Sequence, residues 1–244
     1  MQILLTANAI AVLVAAWATW ELRLTTFRSR WDSPKTTALI LFVLAAVLDS
    51  PWRAVSEASF SYTGRFYFFT VIGHVCYLAA CASGLKYIYL RLLPDAEIGP
   101  FVRRRLVPAV FIASAIMVVT FTASPLTASI SADHLYLVRP DGWLTIYWLT
   151  FYGTLATILL AGMYGLNRLR ADPRSVQLSL LLTSLGLGAL SAVISLVGLL
   201  SGHGESVRLF AWPLAYAAIA VGAVALVLSW RHRVAGMLQQ PRDN

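Results

Sequence analysis

Few residues in this chain combine a reactive side chain with an apolar setting. His74 stands eight residues into the apolar run 66–90, which places it roughly 12 Å along a helix at about 1.5 Å per residue. It is the one titratable group near the middle of any such run. An imidazole there serves either as a hydrogen-bonding group between helices or as a proton relay or ligand contact. Asp49 and Arg53 are four apart and face each other if a helix persists past Pro51. With Glu57 and Arg65 they read as an interfacial charge network or as the rim of an outward-facing cavity. The triplet Arg103-Arg104-Arg105 suits anionic lipid headgroups, each arginine contributing about 1 kcal/mol near a charged surface, or a docking protein. Lys86 is close enough to a run's end to reach the headgroups.

Other reactive residues fall short of a pattern. Asp133-His134 and His203-Gly204-Glu205 have the composition of a metal site, but their spacing does not require them to meet. Cys76 and Cys81 lack the spacing of a redox pair or a metal knuckle and read as small packing residues. The last apolar run has no lysine for a Schiff base of the microbial rhodopsin kind, and a b-type haem would need more helical histidines than His74. His-Glu-x-x-His, Gly-x-Ser-x-Gly and a glycine-rich phosphate loop are all missing. The expectation is a non-enzymatic protein without a cofactor.

The elements that must hold these residues follow from composition. Of 244 residues, 59% are hydrophobic and 12% charged, with mean hydropathy +0.72. Soluble domains carry about 25% charged residues, so this chain belongs in a bilayer and is neither disordered, disulfide-built nor nucleic-acid-binding. Crossing about 30 Å of hydrocarbon takes roughly 17–25 apolar residues as helix. Seven stretches qualify, at about 3–20, 36–55, 66–90, 106–123, 143–166, 176–200 and 208–230. The expected fold is all-α: one polytopic domain over 1–244, with seven transmembrane helices and no soluble domain.

Charge sets the orientation. Fifteen Lys and Arg, among them Arg28, Arg30, Lys35 and Arg103 to Arg105, fall on one side and four (Arg53, Arg65, Arg139, Arg208) on the other. Including acids, the sides carry +9 and −1. That bias puts the N-terminus outside and the C-terminus in the cytoplasm. Ala16-Trp17-Ala18 resembles a signal-cleavage site, but no basic residue precedes the first run, so a retained signal anchor is expected. Trp17, Trp20, Tyr87, Tyr89, Trp143, Tyr147, Trp148, Trp212 and Trp230 read as interfacial anchors. Ser184, Gly188 and Ala192, and Ala218 with Gly222, recur at four-residue spacing as seams between neighbouring helices.

The basic segment Arg23 to Lys35, His74, the Arg103 to Arg105 triplet and the Gly/Ser-rich run Ser184 to Ser195 resemble those of actinobacterial seven-helix membrane proteins, some described as transporters. The resemblance covers most of the chain and implies the seven-helix fold without assigning any catalytic or binding residue. The expected function is that of a sensor, regulator or accessory subunit acting by contacts in the bacterial plasma membrane. The alternative is a small carrier. Expected partners are the lipid bilayer, anionic headgroups on the cytoplasmic side, and a membrane or cytoplasmic protein.

Overall fold

The computed structural model describes residues 2–26, 33–49, 53–129, 139–169, 178–201 and 204–239, and among these all regular structure is helical. In chain order the helices are α1 (Gln2–Thr26), α2 (Ser33–Leu48), α3 (Arg53–Thr63), α4 (Phe68–Tyr89), α5 (Asp95–Phe101), a π-helical turn (Val102–Leu106), α6 (Val107–Ala123), α7 (Leu126–Ser129), α8 (Gly142–Arg168), α9 (Leu178–Leu200) and α10 (Gly204–Gln239). Five helices are long and apolar enough to cross a membrane: Phe68–Tyr89, Ala96–Ala123, Gly142–Arg168, Leu178–Leu200 and Phe210–Ser229. Thr6–Leu22 and Ser33–Leu48 are shorter apolar helices. The chain is a multi-pass membrane protein of the all-α class.

Six helices close into a ring, α1 against α2, α2 against α4, α4 against α8, then α8, α9, α10 and back to α1. Each joint has a residue-level cause. On α1, Ala11, Ala15, Ala18 and Leu22 are buried at helical spacing while Leu13, Trp17 and Trp20 are exposed. The α9–α10 joint is the small-residue seam expected from sequence, here within one chain. Ser184 Oγ donates to Ala218 O at 2.7 Å, and Ser191 Oγ donates to Ala211 O at 2.7 Å. A Cβ on Gly222 would lie 2.7 Å from Ser184 Oγ, so a larger residue there would push the hydroxyl out of its bond to Ala218 O. Interhelical side-chain bonds of this kind contribute about 0.6 kcal/mol on average inside membrane proteins.

The helix ending in α6 packs outside the ring, on α8 and α4. Val107, Phe111, Ile112 and Val119 project from it exposed, as expected of a lipid-facing surface. Its first half is longer than the sequence reading, running back through α5. Pro108 explains the π-helical turn before α6. It has no N–H to give Arg104 O, and its ring crowds that carbonyl, so the helix widens by one residue.

The sequence reading of a span over 36–55 is corrected. α2 ends at Leu48, and the next helix, α3, begins at Arg53. The buried Ser59 Oγ donates to Arg65 O at 2.9 Å and accepts from Phe69 N at 3.3 Å. Those bonds tie the short α3 to the start of α4. With 16 residues, α2 extends only about 24 Å at 1.5 Å per residue. Its end therefore meets α4 in that helix's second turn.

Candidate functional site

That shortfall builds the site. Asp49 follows the last turn of α2, its N–H donating to Ala45 O at 2.8 Å. On α4, Gly73 faces this turn. A Cβ there would sit 3.1 Å from Ala45 O, 3.1 Å from Asp49 N and 3.2 Å from Asp49 Cβ. The missing side chain lets α4 rest on the α2 backbone and brings the next residue, His74, beside the Asp49 carboxylate.

His74 Nε2 lies 3.4 Å from Asp49 Oδ1, with the two side chains 1% and 6% exposed. On the other edge of the ring, Nδ1 is 2.5 Å from the hydroxyl of Tyr147 on α8. The ring thus has one nitrogen beside a carboxylate and the other beside a hydroxyl, which can accept from or donate to it according to the tautomer. Around this line of three groups the imidazole is boxed by aromatic rings. Phe151 stacks on it at 4.1 Å, and Trp148 meets it edge-on at 5.3 Å. Tyr77 and Tyr216 line the same cavity as Asp49 and His74. Asn8, fully buried on α1, donates to Ala46 O at 3.0 Å and faces Tyr216. Polar groups from α1, α2, α4, α8 and α10 thus converge on one end of the ring.

This arrangement corrects several sequence readings. Asp49 follows the last turn of α2 and its side chain meets His74 inside the bundle, a pairing that the expected interfacial network with Arg53, Glu57 and Arg65 does not contain. Arg65 Nη1 instead donates to Thr127 Oγ1 at 2.6 Å, and Glu57 is exposed. The Arg53 side chain lies outside the described residues. His74 is not the only ionisable group at depth, since Asp49 accompanies it. Tyr147, Trp148 and Trp212 are buried rather than interfacial, whereas Trp17, Trp20 and Trp143 are exposed as expected. Tyr87 is buried as well, and the Trp230 side chain lies outside the described residues. Asp133, His134 and His203 also fall outside them, as do Arg28 and Arg30, and so does the side chain of Glu205. Arg103, Arg104 and Arg105 are exposed on the π-helical turn, away from the His74 cluster.

Compared with protein-family models, curated proteins and solved structures, the chain matches none. Function therefore has to be argued from the site.

The His74 cluster borders a partly open cavity of about 170 Å³ at the centre of the ring. Asp49, His74, Tyr77 and Tyr216 line one end. Leu39, Phe42, Leu155, Leu159 and Ile219 give the middle an apolar wall. Lys35, which the sequence groups with the basic segment after the first run, is also in the lining. It occupies the first turn of α2, is 1% exposed, and its Nζ lies 5.9 Å from the centre of the Tyr87 ring. Arg91 packs against the same ring, with Nη2 donating to Tyr87 Oη at 2.7 Å. The signal for Lys35 was available in the sequence. Ser33-Pro34 is a helix start, with Pro in the first turn, and it puts Lys35 inside the helix rather than before it.

Among the described residues no group of three or more His, Cys, Asp or Glu is placed to hold a metal ion. What the site offers chemically is a buried row of three polar groups, Asp49, His74 and Tyr147, beside an apolar space with the Lys35 amine in its lining.

Proposed function

We propose that this protein is a non-enzymatic sensor or regulator of the bacterial plasma membrane, one that reads whether its central cavity is occupied and passes that state on by contacts. In this reading it crosses the membrane seven times, with α1 and α2 completing the set of spans, the N-terminus outside and the C-terminus in the cytoplasm. Kinship with the actinobacterial seven-helix proteins belongs to the same proposal. The observation that carries it is the cavity itself, enclosed by helices clamped at Gly73 and Gly222 and bordered by the buried Asp49–His74 pair. Ionisable groups this deep in an apolar bundle are costly and mark functional positions by default. The exposed Arg103 to Arg105 provide the surface for anionic headgroups or a cytoplasmic partner.

A small carrier is the second reading, favoured by one observation: the Asp49–His74–Tyr147 line is the kind of chain that relays protons in transporters. Reconstitution separates the two. Vesicles holding the purified protein should keep an imposed pH gradient as long as empty vesicles do. Vesicles that lose it with wild type, but not with a folded His74→Gln variant, would replace the sensor by a proton-coupled carrier.

A further inference from the structure

The polar end of the cavity carries a tyrosine whose hydroxyl is left over by the packing around it. Tyr216 of α10 lines the space and is 4% exposed, and its hydroxyl completes no hydrogen bond among the described residues. Asn8 approaches it, but gives its amide N–H to Ala46 O at 3.0 Å. A buried hydroxyl without a partner is costly, and each one in a folded protein calls for an explanation. The charged groups of the lining, by contrast, are engaged. Asp49 and His74 face each other at 3.4 Å, and Lys35 interacts within the bundle beside the Tyr87 ring. A charged ligand would have to break one of these arrangements, whereas a neutral oxygen can meet the Tyr216 hydroxyl without disturbing them.

The volume limits the size of what enters. About 170 Å³ is close to the roughly 150 Å³ of an engineered apolar cavity that takes up one benzene. It falls well below the roughly 300–1,000 Å³ of sites for drug-sized molecules. The walls limit the shape. Phe42, Tyr77, Phe151 and Trp212 line the space together with Tyr216, and aromatic walls suit an aromatic guest through offset or edge-to-face contact.

We propose that the cavity takes up an uncharged, single-ring aromatic molecule bearing one hydroxyl or carbonyl oxygen, which the Tyr216 hydroxyl holds. The proposal rests on the cavity reading above and adds to it the size, charge and polarity of the ligand.

The test uses the full-length protein in phosphatidylcholine nanodiscs, with empty nanodiscs measuring uptake by lipid alone. Fluorine NMR follows three probes. These are 4-fluorophenol, fluorobenzene, which keeps the ring without the hydroxyl, and 6-fluorohexan-1-ol, which keeps a hydroxyl and the carbon count without the ring. The expected result is saturable binding near one 4-fluorophenol per chain, with fluorobenzene weaker by about fivefold, as the net loss of one hydrogen bond implies. The fluorohexanol should also bind more weakly than 4-fluorophenol. Tyr216→Phe should bring 4-fluorophenol down to the level of fluorobenzene and leave fluorobenzene unchanged. Equal affinity of the two rings for the wild type, or an equal loss of both in Tyr216→Phe, would overturn the Tyr216 anchor while leaving the cavity reading standing. Tighter binding of the fluorohexanol would overturn the aromatic class and likewise spare that reading. If no probe binds beyond the empty nanodiscs, both readings end. If Tyr216→Phe does not fold, the comparison of the three probes on the wild type decides alone.

Discussion

Gly73→Ala is the smallest change that tests how the site is assembled. The added methyl would meet two backbone atoms at 3.1 Å and one Cβ at 3.2 Å, all at the end of α2. None of these is the tip of a flexible side chain, so relief requires α4 to move away from α2 by several tenths of an ångström. Overpacking of that kind costs about 1–3 kcal/mol. The intrinsic helix preference of alanine over glycine offsets about 1 kcal/mol of it. Gly84 on the same helix is the internal control, because a Cβ there meets nothing within 4 Å. Gly84→Ala should therefore be neutral or stabilising by up to about 1 kcal/mol, its propensity gain being unopposed. The two variants should differ by about 1–3 kcal/mol, and that difference isolates the clash from propensity. Reversible unfolding in mixed micelles measures it. Gly73→Ala should also expose the Trp148 and Trp212 region to an aqueous quencher, since moving α4 loosens the aromatic box on His74. Equal stability of the two variants would refute the argument that Gly73 sets the Asp49–His74 distance.

His74→Gln keeps one donor and one acceptor and loses mainly the stacking on Phe151, so it should cost about 1 kcal/mol. His74→Leu removes the ring nitrogens that face Asp49 and Tyr147 and should cost about 1–3 kcal/mol, more than His74→Gln, read by the same unfolding assay; equal losses would mean that the polar contacts contribute nothing. For topology, single cysteines at Ser131 and Ser206 in a background lacking Cys76 and Cys81 should react with an impermeant reagent from outside. Cysteines at Ser29 and Arg170 should react only after permeabilisation, and reversal at any one of the four breaks the seven-span orientation.

Much of the fold was legible in the sequence because apolar runs of membrane length have few alternatives. The runs 66–90 and 143–166 became Phe68–Tyr89 and Gly142–Arg168 within two residues at each end. The seam at Ser184, Gly188 and Gly222 was legible for a related reason: where helices gain nothing from leaving water, small residues are the visible mark of contact. The site was half legible. His74 stood out by its isolation, but its partner was assigned to the surface because Asp49 closes an apolar run beside Pro51. Sequence spacing gives position along a helix and does not say where one helix ends relative to its neighbour. The early end of α2 is a tertiary fact, visible only once α4 packs against it. The aromatic residues were misread for a similar reason. Tyr147 and Trp148 lie one helical turn beyond Trp143, at the depth where an anchor or a core residue is equally at home, and only the neighbour, His74, decides between them.

The cavity follows from the same logic of packing. A closed ring of six helices leaves room at its centre, and the helix that might have filled it, α6, packs outside on α4 and α8. Large side chains would then have to close the gap, as Tyr147, Trp148 and Phe151 of α8 do at the His74 end, where they crowd together. Along the middle the lining instead includes Ala38, Gly84, Gly162, Ala215 and Ala218. Small residues there bring the backbones closer without supplying bulk, and the seam at Gly188 and Gly222 fixes that spacing from the α9–α10 side. An unfilled apolar space costs the folded protein about 24 cal/mol for each Å³ by comparison with engineered cavities. For about 170 Å³ this amounts to about 4 kcal/mol, a substantial part of the roughly 5–15 kcal/mol by which native proteins are stable. The bundle thus keeps Asp49 with His74 at one end of this space, and the small residues among its lining leave room that the leucine and phenylalanine side chains beside them do not fill.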